Sequence, residues 1–187
     1  MKRIAVVLSM LTLGAAGSTS WLDAKTPANW NVVGAPIPPA PTVERPLVTP
    51  PHPCVLRPPT APEDRAVAGK GWLLVGPYQR YGHTSVIFGT AAVDGMCRPS
   101  QYQGFVFVNG TFAGTLSPDV MADRSDGALA LFAFTIFGED SFYATYARYS
   151  DDDPLCCPHA STEVRFSVTK KGGASVIVPS DPETPNK

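Results

Sequence analysis

Asn109-Gly110 stands between two β-rich runs, Phe105-Val106-Phe107-Val108 before it and residues 111–116 after it. Asn-Gly readily adopts the two positive φ angles of a type I′ turn, and that turn matches the twist of the strands it joins. Residues 105–116 therefore predict a two-residue β-hairpin. Its register sets Val108 opposite Thr111 and Phe107 opposite Phe112. It also sets Phe105 opposite Gly114, on the face shared by Phe107 and Phe112.

The same pattern recurs on both sides. Trp72-Leu73-Leu74-Val75 is an apolar run closed by Gly76-Pro77, and residues 83–88 (HTSVIF) form a second, rich in β-branched residues. Residues 128–137 (ALALFAFTIF) are apolar on both faces and lie between Gly127 and Gly138, which reads as a central strand. The turn Gly138-Glu139-Asp140 then leads into residues 141–149, giving a second hairpin. There Phe142, Ala144 and Tyr146 face one way, and Tyr143, Thr145 and Tyr149 the other. In residues 162–168, Val164, Phe166 and Val168 point inward while Glu163, Arg165 and Ser167 point to water. After Lys170-Lys171-Gly172-Gly173, residues 174–178 read as a last strand. A helical turn fits near residues 63–68. The fold class is all-β: a small, mainly antiparallel sandwich or open barrel with room for one short helix, stapled by disulfides.

The N-terminal third obeys different rules. Residues 26–62 contain twelve prolines. Each removes a backbone donor and fixes φ, so no helix or ladder runs through them. The stretch is expected to act as a semi-rigid spacer holding the domain off a surface. Before it, Met1-Lys2-Arg3 and the apolar residues 4–17 have the form of a secretory signal peptide, with cleavage after Gly17 or Ser20. The predicted organisation is a signal peptide at 1–20, a Pro-rich linker at 21–62, a β-domain at 63–179 and a disordered tail at 180–187. Removing the leader leaves a net charge of −3, which argues against bulk binding to nucleic acid. Membrane contact is not required once the leader is cleaved.

Cys54, Cys97, Cys156 and Cys157 form an even set in a chain expected to be exported, and so predict two disulfides. Three pairings exist. Cys156 with Cys157 requires a strained eight-membered ring and ranks last. The other two tie the acidic turn before Cys156 to both Cys54 and Cys97.

Several stretches resemble the LppP/LprE lipoprotein family. They are Gly114-Thr115-Leu116-Ser117-Pro118, Tyr146-Ala147-Arg148-Tyr149, Asp153-Pro154-Leu155-Cys156-Cys157-Pro158, residues 162–166 and Val176-Ile177-Val178-Pro179. The similarity runs roughly from Trp72 to Pro179. It implies an exported or cell-envelope domain of unassigned biochemistry and supplies no catalytic residues. The chain departs from the family in having no cysteine before Cys54, where a lipidated cysteine near the start would stand.

No G-x-S-x-G, H-E-x-x-H or phosphate loop is present. His83 and Ser85 share a strand face, a spacing that occurs by coincidence. No enzyme activity and no cofactor are expected. Carboxylate density raises Asp151, Asp152 and Asp153 as calcium ligands, with Asp119, Asp123 and Asp126 as a second cluster, although a solvated turn accounts for the first run. Tyr143 and Tyr149, with Arg148 beside them, are the candidate binding surface. The expected function is a non-catalytic binding domain of the cell envelope whose partner is a protein or a glycan. The alternatives are an inhibitor or regulator of an envelope hydrolase, or a secreted enzyme of unrecognised chemistry.

Overall fold

The structure is a computed structural model that describes residues 20–43, 54 and 56–184, with residues 130–137 described in backbone only. The expected leader, apart from Ser20, lies outside the described residues, as do residues 185–187.

Among the described residues, eight strands form two antiparallel meanders. The first sheet runs β1 (Leu73–Tyr81), β2 (Thr84–Val93), β3 (Pro99–Val108) and β4 (Thr111–Thr115) in that order. The second runs β5 (Leu129–Gly138), β6 (Ser141–Arg148), β7 (Ala160–Lys171) and β8 (Ala174–Glu183). A 3-10 turn at Trp21–Asp23 and, among the described residues, one α-helix, α1 (Pro62–Ala68), precede them. Pro62 opens that helix, where a missing N–H costs nothing. At its third position, the Asp64 carboxylate accepts the Thr60 and Ala61 amides at 3.1 and 3.0 Å.

The two sheets share one core. Val86, Phe88, Val106 and Val108 of the first sheet meet Phe142, Ala144, Tyr146, Val164, Phe166 and Ile177 of the second. Phe142 and Phe166 stack at 5.3 Å across β6 and β7. Two buried phenols also bridge the sheets. Tyr102 donates to the Leu129 carbonyl at 2.7 Å, and Tyr146 donates to the Leu116 carbonyl. At the edges β4 approaches β8 and β1 approaches β5.

The outer face of the first sheet is covered too. Trp72, Leu74, Ile87, Phe105 and Phe107 pack beneath Val67 of α1, with Ile37 and Ala40 against them. Cover on both sides explains why β2 and most of β3 are buried nearly throughout rather than in alternation.

That cover corrects the reading of the proline-rich stretch. Residues 20–43 do not hold the domain at a distance; they form a strap around it. Leu22 enters the core, and Trp21 and Trp30 pack on it. The Trp30 indole donates to the Thr115 carbonyl at 3.1 Å, Trp72 donates to the Pro38 carbonyl at 2.8 Å, and the Ala40 amide donates to Lys70. Proline forbids a ladder, but not packing of its neighbours or acceptance by its carbonyl. Residues 44–53 lie outside the described residues.

The hairpin at Asn109-Gly110 has the expected pairs Val108 with Thr111 and Phe107 with Phe112. Phe105, however, pairs with Thr115, and Gly114 pairs with Val106. A bulge at Ala113 inserts one residue into β4. Gly114 sits there at φ +141°, with the Asn31 side chain of the strap 2.4 Å from where a Cβ would be. β1 likewise continues past Gly76-Pro77 to Tyr81, through a bulge between Val75 and Gln79. Residues 128–137 do form a strand, but β5 is at the edge of its sheet rather than its centre. The expected tail at 180–187 is partly strand, since β8 reaches Glu183, which pairs with Glu163.

The cysteines pair as Cys54–Cys97 and Cys156–Cys157, the arrangement ranked last from sequence. Cys54 lies alongside β1, since the Leu56 amide donates to the Cys54 carbonyl and the Arg57 amide to the Leu74 carbonyl, and β1 begins opposite the end of β2. The β2–β3 turn carrying Cys97 is therefore the neighbour of Cys54. The β6–β7 loop is left with its own two cysteines.

Candidate binding face

Among the described residues, no helix packs on the outer face of β6 and β7 as α1 packs on the first sheet, and the outward side chains of these two strands are exposed or half-buried. Direct cross-strand partners share a face. Tyr143 pairs with Arg165, Thr145 with Glu163, Ser167 with Val178 and Thr169 with Val176. These residues therefore form one surface on β6, β7 and β8. Glu163, Arg165 and Thr169 are exposed on it, and Tyr143 is half-buried.

Among the described residues, two concavities lie along this surface. At one end is a cleft of about 180 Å³ lined by Tyr143, Glu163, Arg165, Asp181 and Glu183. A bulge in β8 makes it. Arg165 pairs with Ser180 and Glu163 with Glu183, so one extra β8 residue falls between them, and Asp181 there has φ 46°. Such a bulge re-aims side chains. Three carboxylates face one guanidinium, so this end is acidic.

At the other end is a groove of about 770 Å³ between the strap and the β7–β8 hairpin. Val32, Val33, Val176 and Val178 form its apolar walls, and Asn29, Asn31 and Lys171 are among its polar groups. Val32 is 69% exposed. A volume in the range of small-molecule sites, mostly apolar lining and a few polar groups are the usual form of a ligand groove. The strap wall is held by Asn31, whose side chain donates to the Thr115 carbonyl at 3.1 Å and accepts its amide at 2.8 Å.

A family model described as LppP/LprE lipoprotein matches residues 78–171. The chain belongs to the LppP/LprE lipoprotein family. No curated protein and no solved structure matches it. Membership in a lipoprotein family implies association with the cell envelope, and the family's function is unassigned. The part matched to LppP/LprE runs from within β1 to the end of β7. The strap, α1 and β8 lie outside it, and so do one wall of the groove and the bulge of the cleft. Among the described residues, no helix is long and apolar enough to cross a membrane.

The sequence-derived site residues fall in three places. Tyr143 lines the acidic cleft. Tyr149 is beyond the end of β6, its hydroxyl donating to the Leu155 carbonyl at 3.4 Å, so it shares no row with Tyr143. Arg148 reaches Asp23 at 2.6 Å and Asp126 at 2.8 Å. Burial disfavours its cation, and the hydrogen bonds to Asp23 and Asp126 outweigh this and raise its pKa. It is a clamp on the strap.

Asp153 belongs to its own loop. Its Oδ2 accepts the Ser150 amide at 2.8 Å, the His159 amide at 3.1 Å and lies 2.7 Å from His159 Nδ1. The Ser150 amide, then the His159 ring, hold its pKa at about 2, below the usual 3.8. Asp151 and Asp152 are exposed beside it. In the second acidic cluster, Asp126 pairs with Arg148, while Asp123 lies 3.7 Å from Arg124. His83 Nδ1 lies 2.8 Å from Glu139, which ties the β1–β2 turn to the β5–β6 turn.

Sequence reasoning missed Glu163, Arg165, Asp181 and Glu183 as a site. The outward alternation of Glu163 and Arg165 was visible, but it reads equally as a solvated strand. Asp181 and Glu183 fell in the stretch read as a tail.

Proposed function

We propose that this LppP/LprE protein is a non-catalytic, exported binding domain of the cell envelope, with its ligand lying along the outer face of β6, β7 and β8. The supporting observation is the asymmetry of the two sheets. The first is covered by α1 and the strap. The second keeps an open face carrying an acidic cleft with an aromatic wall and an apolar groove. From Glu163 to Lys171 this face runs about 26 Å at about 3.3 Å per strand residue. An extended partner, a glycan strand or a protein segment, suits such a surface. Tyrosine offers both a ring to pack and a hydroxyl to hydrogen-bond.

The test is capture from envelope extracts by immobilised full-length protein, followed by the same assay with Tyr143→Ala and with Arg165→Glu. Capture that drops at least tenfold in both variants supports the face. Capture that survives both counts against it.

A second reading, inhibition of an envelope hydrolase, draws on the β6–β7 loop. Asp153 braces that loop, and Leu155 projects from it at 66% exposure. A pre-ordered loop binds a cleft with less ordering cost than a mobile one. Leu155→Asp would abolish inhibition of a susceptible hydrolase while leaving capture on the β6–β8 face intact.

A further inference from the structure

The two disulfides differ in span and in burial: Cys54 is buried while Cys97 is exposed, and Cys156 and Cys157 are both exposed. Cys54–Cys97 spans 43 positions, and Cys54 is only 8% exposed. Closing so long a loop restrains the unfolded chain and stabilises the fold. Cys156–Cys157 joins neighbours in sequence. It ties no two segments together, so it gives none of that restraint. Both of its residues are exposed.

The loop around Cys156–Cys157 is held by other bonds. Asp153 Oδ2 accepts the Ser150 and His159 amides at 2.8 and 3.1 Å, and the Cys157 amide donates to the Pro154 carbonyl at 2.9 Å. Pro154 and Pro158 bracket the pair, and the Tyr149 hydroxyl donates to the Leu155 carbonyl at 3.4 Å. None of these contacts requires the sulfur–sulfur bond. If that bond opened, the turn would keep two thiols side by side at the surface. Exposed disulfides in small strained rings are the labile class, whereas buried, loop-closing ones resist reduction.

We infer that Cys156–Cys157 is a thiol–disulfide exchange site whose substrates are thiols, and that Cys54–Cys97 is the structural bridge. In the forward direction a thiolate attacks one of the two sulfurs, and the bond between them breaks. The displaced cysteine leaves as a thiolate and takes up a proton. The incoming thiol is then held as a mixed disulfide. A second thiol attacks that mixed disulfide and frees the other cysteine. Two thiols are thereby oxidised to one disulfide, and Cys156 and Cys157 are reduced to two thiols. The reverse sequence regenerates the ring. The thiol comes either from a low-molecular-weight compound or from a protein dithiol, with the same chemistry in both cases.

The test equilibrates the full chain, isolated oxidised, against glutathione buffers of graded ratio in one arm and a reduced protein dithiol oxidoreductase in the other. Thiols are then alkylated and located by mass spectrometry. Cys156 and Cys157 are expected to label together at a reductant ratio at least tenfold lower than Cys54 and Cys97, in at least one arm, with unchanged circular dichroism. The arm that responds identifies the source of the thiol. Simultaneous opening of both bridges, earlier opening of Cys54–Cys97, or no reduction of Cys156–Cys157 in either arm would overturn the assignment. Cys157→Ser provides a second readout. Its lone Cys156 should retain one glutathione per chain, since no neighbouring thiol can displace it; no adduct would also overturn the assignment.

Discussion

The guanidinium of Arg148 lies 2.6 Å from the carboxylate of Asp23, across a separation of 125 positions. The last residue of β6 thereby holds the first turn of the strap, Trp21–Asp23, against the second sheet. Arg148 also donates to Asp126 at 2.8 Å and to Thr162 Oγ1 at 3.3 Å. One side chain thus joins the strap, the loop before β5 and the β7 strand.

Arg148→Ala is expected to destabilise the protein by about 1–2 kcal/mol, more than a lone surface pair because several partners are lost together. Asp23→Ala should cost about 0–1 kcal/mol. Urea denaturation would give both values. Hydrogen exchange in Arg148→Ala should rise first at Trp21–Asp23, and a rise confined to β6 would refute the clamp.

Trp30 tests the strap directly. Its ring packs edge-on to Trp21 at 4.9 Å and to Phe166 at 6.3 Å, and its indole N–H has a partner at Thr115. Trp30→Ala should cost about 2–3 kcal/mol, somewhat below a fully buried aromatic because the ring is half-exposed. A thermal midpoint unchanged by this substitution would restore the spacer reading.

The Arg57–Asp64 pair sets an acid limit. Burial alone would raise the Asp64 carboxyl, but the Arg57 guanidinium at 2.6 Å and the Ala61 and Thr60 amides outweigh it and hold the pKa at about 2, against 3.8 unperturbed. A carboxyl depressed in the folded state binds its proton more readily when unfolded. Its stabilisation, about 2 kcal/mol, is therefore full above pH ~4 and fades as pH falls toward 2. Asp64→Asn should lower stability at neutral pH and flatten this part of the acid-unfolding curve. An unchanged slope between pH 4 and 2 would contradict the assignment.

Tyr102 donates across the sandwich to Leu129 at 2.7 Å. Tyr102→Phe removes the donor and strands a buried carbonyl, at a cost of about 1–2 kcal/mol. Burial also pushes the Tyr102 and Tyr146 phenols well above the usual range. In an alkaline ultraviolet titration these two should ionise last, together with unfolding. Their ionisation alongside the other tyrosines in a folded protein would show the cross-sheet bonds to be absent.

Much of the fold was legible because it is written locally. The alternation of Val164, Phe166 and Val168 against Glu163, Arg165 and Ser167 specifies a strand with one wet face, and that face is where the candidate site lies. Asn109-Gly110 specifies its turn within four residues. The site itself was harder to read. Tyr143 was identified from its outward parity, but its neighbours Asp181 and Glu183 come from a stretch whose prolines and charges resemble a free tail. Pro179 is tolerated in β8 because β8 has a partner on one side only, the β7 side. Arg148 and Tyr149 looked like surface groups, because the carboxylate that engages Arg148 from the strap lies far away in sequence.

By itself, the sequence determined that this chain makes short antiparallel strands, where most of them turn, and that its four cysteines make up two bridges. Those properties depend on side-chain periodicity and turn chemistry over about ten residues. The tertiary structure decided which sheet face is covered, where Phe105 slips past Gly114, and that residues 20–43 wrap the domain. It also decided the cysteine pairing, because a disulfide depends on which chain segments are spatial neighbours. The segment before α1 runs beside β1 and places Cys54 at Cys97, and Cys156 is left to its own neighbour, Cys157.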